Sequence, residues 1–504
     1  MLSLASIPGT AAAEISRRAA QCSLRGADFN GDQCGDLVVG DPGASVAGKA
    51  GAGRIHVVYG SEDGPGERGV LEQGQPGVGD SPEPGDGFGG VLRTTDIDRD
   101  GISDLVVGVP SESVGGAEDA GVIHVIFGSA KGLGGGRPGI VLRQGAFGIA
   151  GGPERGDGFG AAIAVNETVS AAPPTPALAF GSPGEDLDGR ADAGSAGIVS
   201  FTPEGGEIAA TATISQDSPG IGGGVEAGDR FGAAVGLFQG PGGFGCDVDG
   251  VNGYTLVVGA PDEDLDGRRD AGLVHLAKDL SSDTPLSQGS PGVDGEIEAG
   301  DRFGASLALT SQCEHDGPSH LKLAVGVPTE DIGTVADAGM VHLFSADDEL
   351  PPSQQWSVSQ NSTDVAGAAE RGDQFGSVLA MGGPWRNGLG EPLVVGVPRE
   401  DIDDAPDAGG VQIFGDATST PGDGDVFLSQ VDLGLTPENG DLFGAALLSR
   451  TKLLLVGAPD DVTHGKGAVH GIPWPGGDQG TPLLLVPGRD GIPADAVRFG
   501  AALG

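Results

Sequence analysis

The sequence predicts an all-β fold, a seven-bladed β-propeller whose blades are four-stranded antiparallel sheets. A Phe-Gly pair recurs seven times along the 504 residues, with its phenylalanine at Phe88, Phe159, Phe231, Phe303, Phe375, Phe443 and Phe499. A Gly-x-Pro that closes a short apolar run also recurs seven times, with its proline at Pro42, Pro110, Pro183, Pro261, Pro328, Pro398 and Pro459. The central Phe-Gly pairs are 72 residues apart. Such a fixed period indicates one supersecondary unit that is copied and stacked.

The elements of one unit are short, β-rich runs. In the second unit they lie at residues 105–107, 122–127 and 140–142. Each run is bounded by Gly, Pro or Asp, the residues that punctuate strands and turns. Together with the run that follows each Phe-Gly pair, they give four strands per unit, and no segment keeps a helical period. Seven such units make one closed domain.

The order of these motifs resembles the FG-GAP repeats of the integrin α-subunit β-propeller. Between Phe-Gly and Gly-Ala-Pro, as at residues 259–261 and 457–459, some units carry Asp-x-Asp-x-Asp-Gly-x-x-Asp. The resemblance looks closest to secreted bacterial members of that family. It implies a single propeller over residues 20–504, with residues 1–19 a signal-peptide remnant or a disordered N-terminus.

The chain is strongly acidic, with 72 Asp and Glu, 27 Lys and Arg, and a formal net charge of -45. This charge repels nucleic acid and anionic membrane surfaces, so we expect cations as natural partners. The low aromatic content of 4% disfavours a surface of stacked rings. No run of 18 apolar residues occurs, so no membrane span is predicted. A simpler interpretation is that most of the carboxylates only keep a long β-protein soluble.

The four cysteines and the N-terminus favour a secreted or extracellular protein. We predict disulfides between Cys22 and Cys34 and between Cys246 and Cys313, with free buried thiols as the alternative. Residues 1–13 look like the tail of a secretory signal that ends in small residues, although a basic n-region is lacking. A translation start placed too late, or a disordered N-terminus, would leave the same trace.

Two nine-residue acidic loops predict calcium sites in the first two units. Side-chain oxygens at loop positions one, three, five and nine, with the carbonyl of position seven, supply the hard donors that Ca²⁺ requires. The predicted ligands are Asp96, Asp98, Asp100, Asp104 and the Ile102 carbonyl in one loop, and Asp28, Asn30, Asp32, Asp36 and the Cys34 carbonyl in the other. In isolation, an Asp-x-Asp more often forms an Asx-turn.

The two loops depart from the pattern and from the family in identifiable ways. Gln33 replaces the glycine at position six of the first loop. Integrins place their ions in the later blades, so the resemblance carries over the site but not its blade. Asp247 and Asp249 keep only part of the pattern in the fourth unit.

Two further polar patterns repeat with the units. An acidic pattern follows each Gly-x-Pro and ends in Asp-Ala-Gly, as in Glu263, Asp264 and Asp270. We interpret it as a turn cap before the third strand, with a ring of weak cation sites as the alternative. Five histidines share one place in the third strand and are interpreted as satisfied polar groups between blades: His56, His124, His275, His342 and His470.

The ring is predicted to close through the C-terminus. The seventh Phe-Gly lies after the last Gly-x-Pro, so residues 497–504 would form the innermost strand of the first blade and remove a free edge. In the competing arrangement, residues 21–27 fill that place.

The sequence favours a secreted, monomeric, calcium-binding module that binds a protein or a cell-surface polymer. It predicts no enzyme, because no catalytic constellation breaks the repeat. The alternative is an extracellular hydrolase or polysaccharide lyase with a site at the propeller axis. Arg-Gly-Asp at residues 155–157 and 371–373 is interpreted as the approach to Phe-Gly and not as an adhesion tripeptide.

Overall fold

A computed structural model describes most of the chain. The described residues are 22, 26–62, 64–166, 175–202, 204–241, 252–313, 319–347, 350–382, 391–415, 421–422, 425–474 and 480–504. They form seven separate four-stranded antiparallel sheets and one 3₁₀ turn, Gln430–Leu433. The predicted all-β propeller of four-stranded blades is therefore confirmed.

Each blade runs in chain order from its innermost to its outermost strand, and blade 1 takes its innermost strand from the C-terminus. Blade 1 contains β1 (Leu37–Asp41), β2 (Arg54–Ser61), β3 (Gly64–Leu71) and β28 (Ala502–Leu503). Blade 2 contains β4 (Val91–Thr95), β5 (Asp104–Val109), β6 (Val122–Ile126) and β7 (Ile140–Leu142). Blade 3 contains β8 (Ala162–Val165), β9 (Ala177–Ser182), β10 (Ser195–Phe201) and β11 (Ile208–Ile214).

The remaining blades repeat this order. Blade 4 contains β12 (Ala234–Pro241), β13 (Asn252–Ala260), β14 (Leu273–Lys278) and β15 (Ser282–Leu286). Blade 5 contains β16 (Ser306–Cys313), β17 (Ser319–Val327), β18 (Met340–Asp347) and β19 (Ser353–Val358). Blade 6 contains β20 (Val378–Met381), β21 (Leu393–Val397), β22 (Gly410–Phe414) and β23 (Val426–Leu428). Blade 7 contains β24 (Ala446–Ser449), β25 (Leu453–Ala458), β26 (Ala468–Pro473) and β27 (Leu483–Leu485).

The ring closes through the C-terminal strand, as the position of Phe499 predicts. Strand β28 pairs with β1 through Val39 opposite Leu503 and Gly40 opposite Ala502. The innermost strands of successive blades contact one another around the ring, and β28 lies between β24 and β4. The competing arrangement, with residues 21–27 in this place, is wrong.

The Phe-Gly and Gly-x-Pro motifs form the contact between neighbouring blades. All seven Phe-Gly phenylalanines are fully buried. The Gly259 carbonyl accepts a hydrogen bond from Gly232 N of its own blade, while a Cβ at Gly259 would collide with the Gly304 carbonyl of the next. Gly272 has a positive φ of 88°, and the backbone of Phe303 leaves no room for a Cβ there. These glycines are therefore required by the close approach of the blades.

The strand order gives the ring two faces. We call the side with the connections between first and second strands the AB face. The other side, the BC face, carries the connections between second and third strands and those from one blade to the next. Antiparallel pairing places the predicted calcium loops on the AB face, because both lead directly into a second strand.

Candidate metal centre

The loop that precedes β5 brings three carboxylates together on the AB face. Oxygens of Asp96, Asp98 and Asp104 all lie within 4.8 Å of one another. Asp96 Oδ1 is buried and has no hydrogen-bond partner. Burial, followed by the charges of Asp100 and Asp98, raises the pKa of Asp96. This arrangement of oxygen donors, with more carboxylates than nearby cationic groups, fits a divalent cation.

Local hydrogen bonds shape this loop. Asp96 Oδ2 accepts from Gly101 N at 3.0 Å, and Asp100 Oδ1 accepts from Ile102 N at 2.8 Å. Arg99 and Gly101 adopt positive φ values of 55° and 87°, which tighten the turn, while the predicted ligand Asp100 is not part of the group formed by Asp96, Asp98 and Asp104. The loop is thus both a series of Asx-turns and a convergent donor set, so the two interpretations of Asp-x-Asp are compatible.

The ninth residue of each loop is a buried anchor. Asp104 Oδ2 accepts from Ile97 N at 2.7 Å, and Asp104 Oδ1 accepts from Gly128 N at 2.8 Å. Asp36 repeats this arrangement with the N–H groups of Phe29 and Gly60. Burial raises the pKa of Asp36 and of Asp104 to about 7.

The loop that precedes β1 has the same course, but its first carboxylate bonds mainly to backbone. The Asp28 carboxylate accepts from the N–H groups of Asn30, Gly31 and Gln33. Asn30 Oδ1 accepts from Asp32 N at 2.9 Å. Gln33 adopts a φ of 73° in place of the expected glycine.

The rest of the predicted donors in this first loop are fixed by local contacts. Asp32 Oδ1 accepts from Cys34 N at 2.8 Å. The predicted disulfide joins Cys34 to Cys22. Asp28, Asn30, Asp32, Cys34 and Asp36 as calcium ligands remain a prediction, as do Asp96, Asp98, Asp100, Ile102 and Asp104.

Sequence reasoning missed Arg137, which lies beside the second loop. Its guanidinium is 3.7 Å from the centroid of the Phe127 ring, and its Nη1 is 3.4 Å from Asp98 Oδ2. Nη1 also donates to the Gly205 carbonyl at 2.5 Å, and the side chain stays 37% exposed. No sequence signal marks this residue, because it comes from the connection between the third and fourth strands of the blade.

The acidic pattern after each Gly-x-Pro divides into two roles. The aspartates at the position of Asp264 cap the turn, since Asp264 Oδ1 accepts from Asp270 N at 2.9 Å, and Asp186, Asp331 and Asp401 do the same. This confirms the predicted turn cap. The preceding glutamates point elsewhere: each accepts from a glutamine amide contributed by the chain arriving from the previous blade.

The five third-strand histidines are buried and pack edge-on or tilted against the Phe-Gly phenylalanines. Nδ1 of His124, His275 and His342 has a polar partner, Val78 O, Asp283 Oδ2 and Gln354 Oε1 respectively. Both ring nitrogens of His56 lack a hydrogen-bond partner. The prediction of satisfied polar groups therefore holds for three of the five, and their burial excludes a channel-lining ring.

Some predictions fall outside the described residues, and others are decided by burial. Cys246, Asp247, Asp249 and the Cys313 side chain are not described. Asp157 and Asp373 are buried, so neither Arg-Gly-Asp sequence presents its carboxylate. In the part of the chain that the structure covers, no helix is both long and apolar enough to span a membrane.

The fold and this site define a β-propeller with acidic loops at the entrance to its second strands. A family model described as FG-GAP repeat matches residues 23–58 and 88–126, which include both loops. The chain is a seven-bladed β-propeller that carries FG-GAP repeats at residues 23–58 and 88–126.

The curated relatives that are similar in sequence to part of this chain are phosphatidylinositol-glycan-specific phospholipases D. The protein from Rattus norvegicus is 37% identical over 120 residues, which cover 24% of this chain and 14% of the relative. The protein from Dictyostelium discoideum is 31% identical over 109 residues, covering 21% of this chain and 11% of the relative. The chain therefore spans only a small part of the relatives it matches.

Among solved structures, the periplasmic gluconolactonase PpgL of Pseudomonas aeruginosa aligns with a TM-score of 0.42 and 12% identity. The alignment covers 92% of this chain and 99% of that chain. The prediction that the chain is no enzyme is wrong on the sequence comparison, because the matched relatives are named phospholipases. The absence of catalytic residues that interrupt the repeat was not enough to exclude an enzymatic role.

Proposed function

We propose that the chain acts in an extracellular hydrolase reaction on a phosphodiester of the phosphatidylinositol-glycan class. The observation that carries this proposal is the 37% identity over 120 residues with phosphatidylinositol-glycan-specific phospholipase D. This proposal replaces the binding module favoured by the sequence with the hydrolase alternative. In the reaction, water adds across a P–O bond of the substrate.

The two acidic loops would serve this reaction by holding calcium. Asp96, Asp98 and Asp104 are the donors that would hold one ion, and the loop at residues 28–36 would hold a second. Calcium bound there would supply positive charge to the substrate phosphate. Without a cation the loop carboxylates repel phosphate, so we expect hydrolysis to depend on a divalent ion.

Arg137 would bind the phosphate beside the second loop. Its guanidinium is oriented by stacking on Phe127 and by the Gly205 carbonyl, and it remains partly exposed. A planar guanidinium fixed in this way presents its remaining N–H donors to phosphate oxygens. The proposed substrate site therefore lies on the AB face at blade 2 and not at the propeller axis.

The proposed extracellular location is supported by the disulfide between Cys22 and Cys34. Disulfides persist in oxidising compartments and are rare in the cytosol. A disulfide that fixes the end of the first loop also fits a cation site that must stay formed in an extracellular medium.

The test is a release assay with the full chain. A reporter protein carrying a phosphatidylinositol-glycan anchor is presented in detergent micelles, with calcium or with a chelator, and the water-soluble reporter is quantified. We expect release in calcium, loss of release in chelator, and at least a tenfold reduction in the Asp96→Asn/Asp98→Asn variant. Asp119→Asn is the matched control, because Asp119 is an exposed aspartate with a positive φ on the BC face. No release from the wild-type chain in calcium would overturn the proposal.

A further inference from the structure

The seven innermost strands enclose a space at the propeller axis, which we call the axial channel. The second strand of blade 2, β5, is wholly buried, whereas every residue of β20, the innermost strand of blade 6, stays partly exposed. The innermost strands β8 and β24 are partly exposed in all but one of their residues. Because these strands lie inside the ring and pair with a single neighbour, the solvent that reaches them occupies the axial channel.

The wall of the axial channel carries a single charge. Arg93, at the centre of β4, is the one Asp, Glu, Lys or Arg within the seven innermost strands as the structure describes them. The other residues of these strands are apolar or neutral. A lone guanidinium therefore lies in a wall that is otherwise uncharged.

The packing of the ring does not require a long side chain at this position. Counted from the Phe-Gly phenylalanine, the equivalent residue is small in five of the other six blades. These residues are Ala164, Gly236, Ala308, Ala380 and Gly504, with Leu448 in blade 7. Small residues at this level leave room at the axis, and the arginine of blade 2 extends into that room.

The guanidinium of Arg93 has few contacts within the protein. Its Nη1 donates to the Leu92 carbonyl at 2.8 Å, which holds the group against the innermost strand. No described carboxylate forms an ion pair with Arg93, and its side chain is exposed. Burial nevertheless lowers its pKa, because the channel wall surrounds the guanidinium even though solvent reaches it. The remaining N–H donors are thus directed to the contents of the channel.

An enclosed cation without a counter-ion is unusual in so acidic a chain. With 72 Asp and Glu against 27 Lys and Arg, carboxylate partners are abundant. Arg54 shows the usual arrangement, since its guanidinium pairs with Glu72 at 2.8 Å and with Asp495 at 2.9 Å. A charge in a space of low dielectric costs free energy that a paired anion recovers. The planar fork of a guanidinium also matches two oxygens of one carboxylate or phosphate.

We propose that the axial channel binds an organic anion, a carboxylate or a phosphate monoester, whose charged group contacts Arg93 and whose apolar part lies along the channel wall. Partly exposed apolar side chains on the innermost strands, such as Val165, Leu379 and Leu448, supply that wall. The site is separate from the phosphate site proposed at Arg137, because it faces the axis and requires no metal ion.

Calorimetric titration with hexanoate and with hexyl phosphate tests the proposal, and hexanol is the uncharged reference. The full chain is first freed of metal and dialysed into metal-free buffer, so that ions in the acidic loops cannot recruit phosphate. We expect at least one of the two anions to bind at a single site, and hexanol to bind about tenfold more weakly or not at all. The anion that binds more tightly identifies the charged group of the ligand.

Arg93→Ala is expected to weaken binding of that anion by about tenfold or more. The variant should fold, because alanine occupies the same position in blade 3 at Ala164. Arg143→Ala is the matched control, since it removes an exposed arginine that directly follows the outermost strand of the same blade. Its affinity for the anion should equal that of wild type.

Chemical modification of the wild-type chain keeps the test decisive if Arg93→Ala does not fold. Phenylglyoxal modifies arginines, and the modified peptides are quantified by mass spectrometry. A saturating anion should slow modification of Arg93 and leave that of Arg143 unchanged. The proposal is overturned if neither anion binds the wild-type chain, if Arg93→Ala binds as tightly as wild type, or if neither anion protects Arg93. The release assay does not enter these measurements, so failure of the hydrolase proposal remains distinguishable.

Discussion

Asp28 and Ser103 join the two acidic loops through a reciprocal pair of hydrogen bonds. Ser103 N donates to the Asp28 carbonyl at 2.7 Å, and Asp28 N donates to Ser103 Oγ at 3.1 Å. Asp28 is the first residue of one loop, and Ser103 is the eighth of the other. Ile102 also packs against Gly31. The two loops therefore form one structural unit that bridges blades 1 and 2, and we expect their cation affinities to be coupled.

Ser103→Ala is expected to weaken the connection between the two loops and, through it, calcium binding at the blade 1 loop. It leaves the Asp28 N–H without its acceptor, which should lower the free energy of unfolding by about 1 kcal/mol. Calorimetric titration of calcium should show weaker binding at the blade 1 loop, although no predicted ligand is altered. The control is Ser113→Ala on the BC face. Unchanged calcium affinity in Ser103→Ala would show that the loops act independently.

Asp98→Asn is expected to reduce the stabilisation that calcium provides. One site in a hundredfold excess of calcium over its Kd contributes about 2.7 kcal/mol. Losing one of the three convergent carboxylates should remove most of the stabilisation that calcium provides. In chelator, the same substitution should change the free energy of unfolding only a little. The measurement is thermal unfolding with and without calcium, with Asp119→Asn as the control. An equal calcium-induced shift in Asp98→Asn and wild type would exclude Asp98 as a ligand.

Phe499→Ala is expected to destabilise the ring at its closure. Phe499 is fully buried between blades 7 and 1, and its ring centroid lies 5.2 Å from that of His56. Truncating a buried phenylalanine costs about 3–5 kcal/mol. Deleting residues 497–504 should go further, because it leaves β1 as an open edge that favours aggregation. A deleted chain that melts at the wild-type temperature would contradict closure by the C-terminus.

Glu112→Gln is expected to remove a pH-dependent loss of stability. Burial raises the pKa of Glu112 to about 8, above its ordinary value of 4.5, so the folded state binds this proton more tightly than the unfolded state. The protonated Glu112 side chain contributes fully to the free energy of unfolding below about pH 4.5, and this contribution is lost as the pH rises towards 8. In chelator, the variant should match wild type at pH 5 and exceed it by a few kcal/mol at pH 8.

Denaturant titrations at the two pH values give this comparison. A variant that is less stable than wild type at pH 8 in chelator would show that Glu112 is held ionised by its surroundings.

The sequence predicted the fold because its determinants are local and repeated. The backbone contact between Gly259 and Gly304 explains why Phe-Gly and Gly-x-Pro recur together, and the late position of Phe499 indicated the closure. The acidic loops were also found, because all their donors lie within nine residues. Arg137 was missed because it reaches Asp98 across 39 positions, and nothing short of the folded blade places it there.

The glutamates after each Gly-x-Pro were noted in the sequence, but their glutamine partners were missed for a related reason. Gln73 and Glu112 are 39 positions apart, and the spacing of the equivalent glutamine–glutamate pairs varies from one pair of neighbouring blades to the next. A signal was nevertheless present in the sequence: glutamine, aspartate and glutamate recur with the units and are replaced together by Pro487, Val497 and Ala44.

The central claim is that the propeller holds divalent cations in its two acidic loops, and locating bound ions directly tests it best. Crystals of the full chain grown with calcium and measured for anomalous scattering would show each site. The account predicts one peak among Asp96, Asp98 and Asp104 and another within residues 28–36. Well-ordered loops at millimolar calcium with no anomalous peak in either would contradict it.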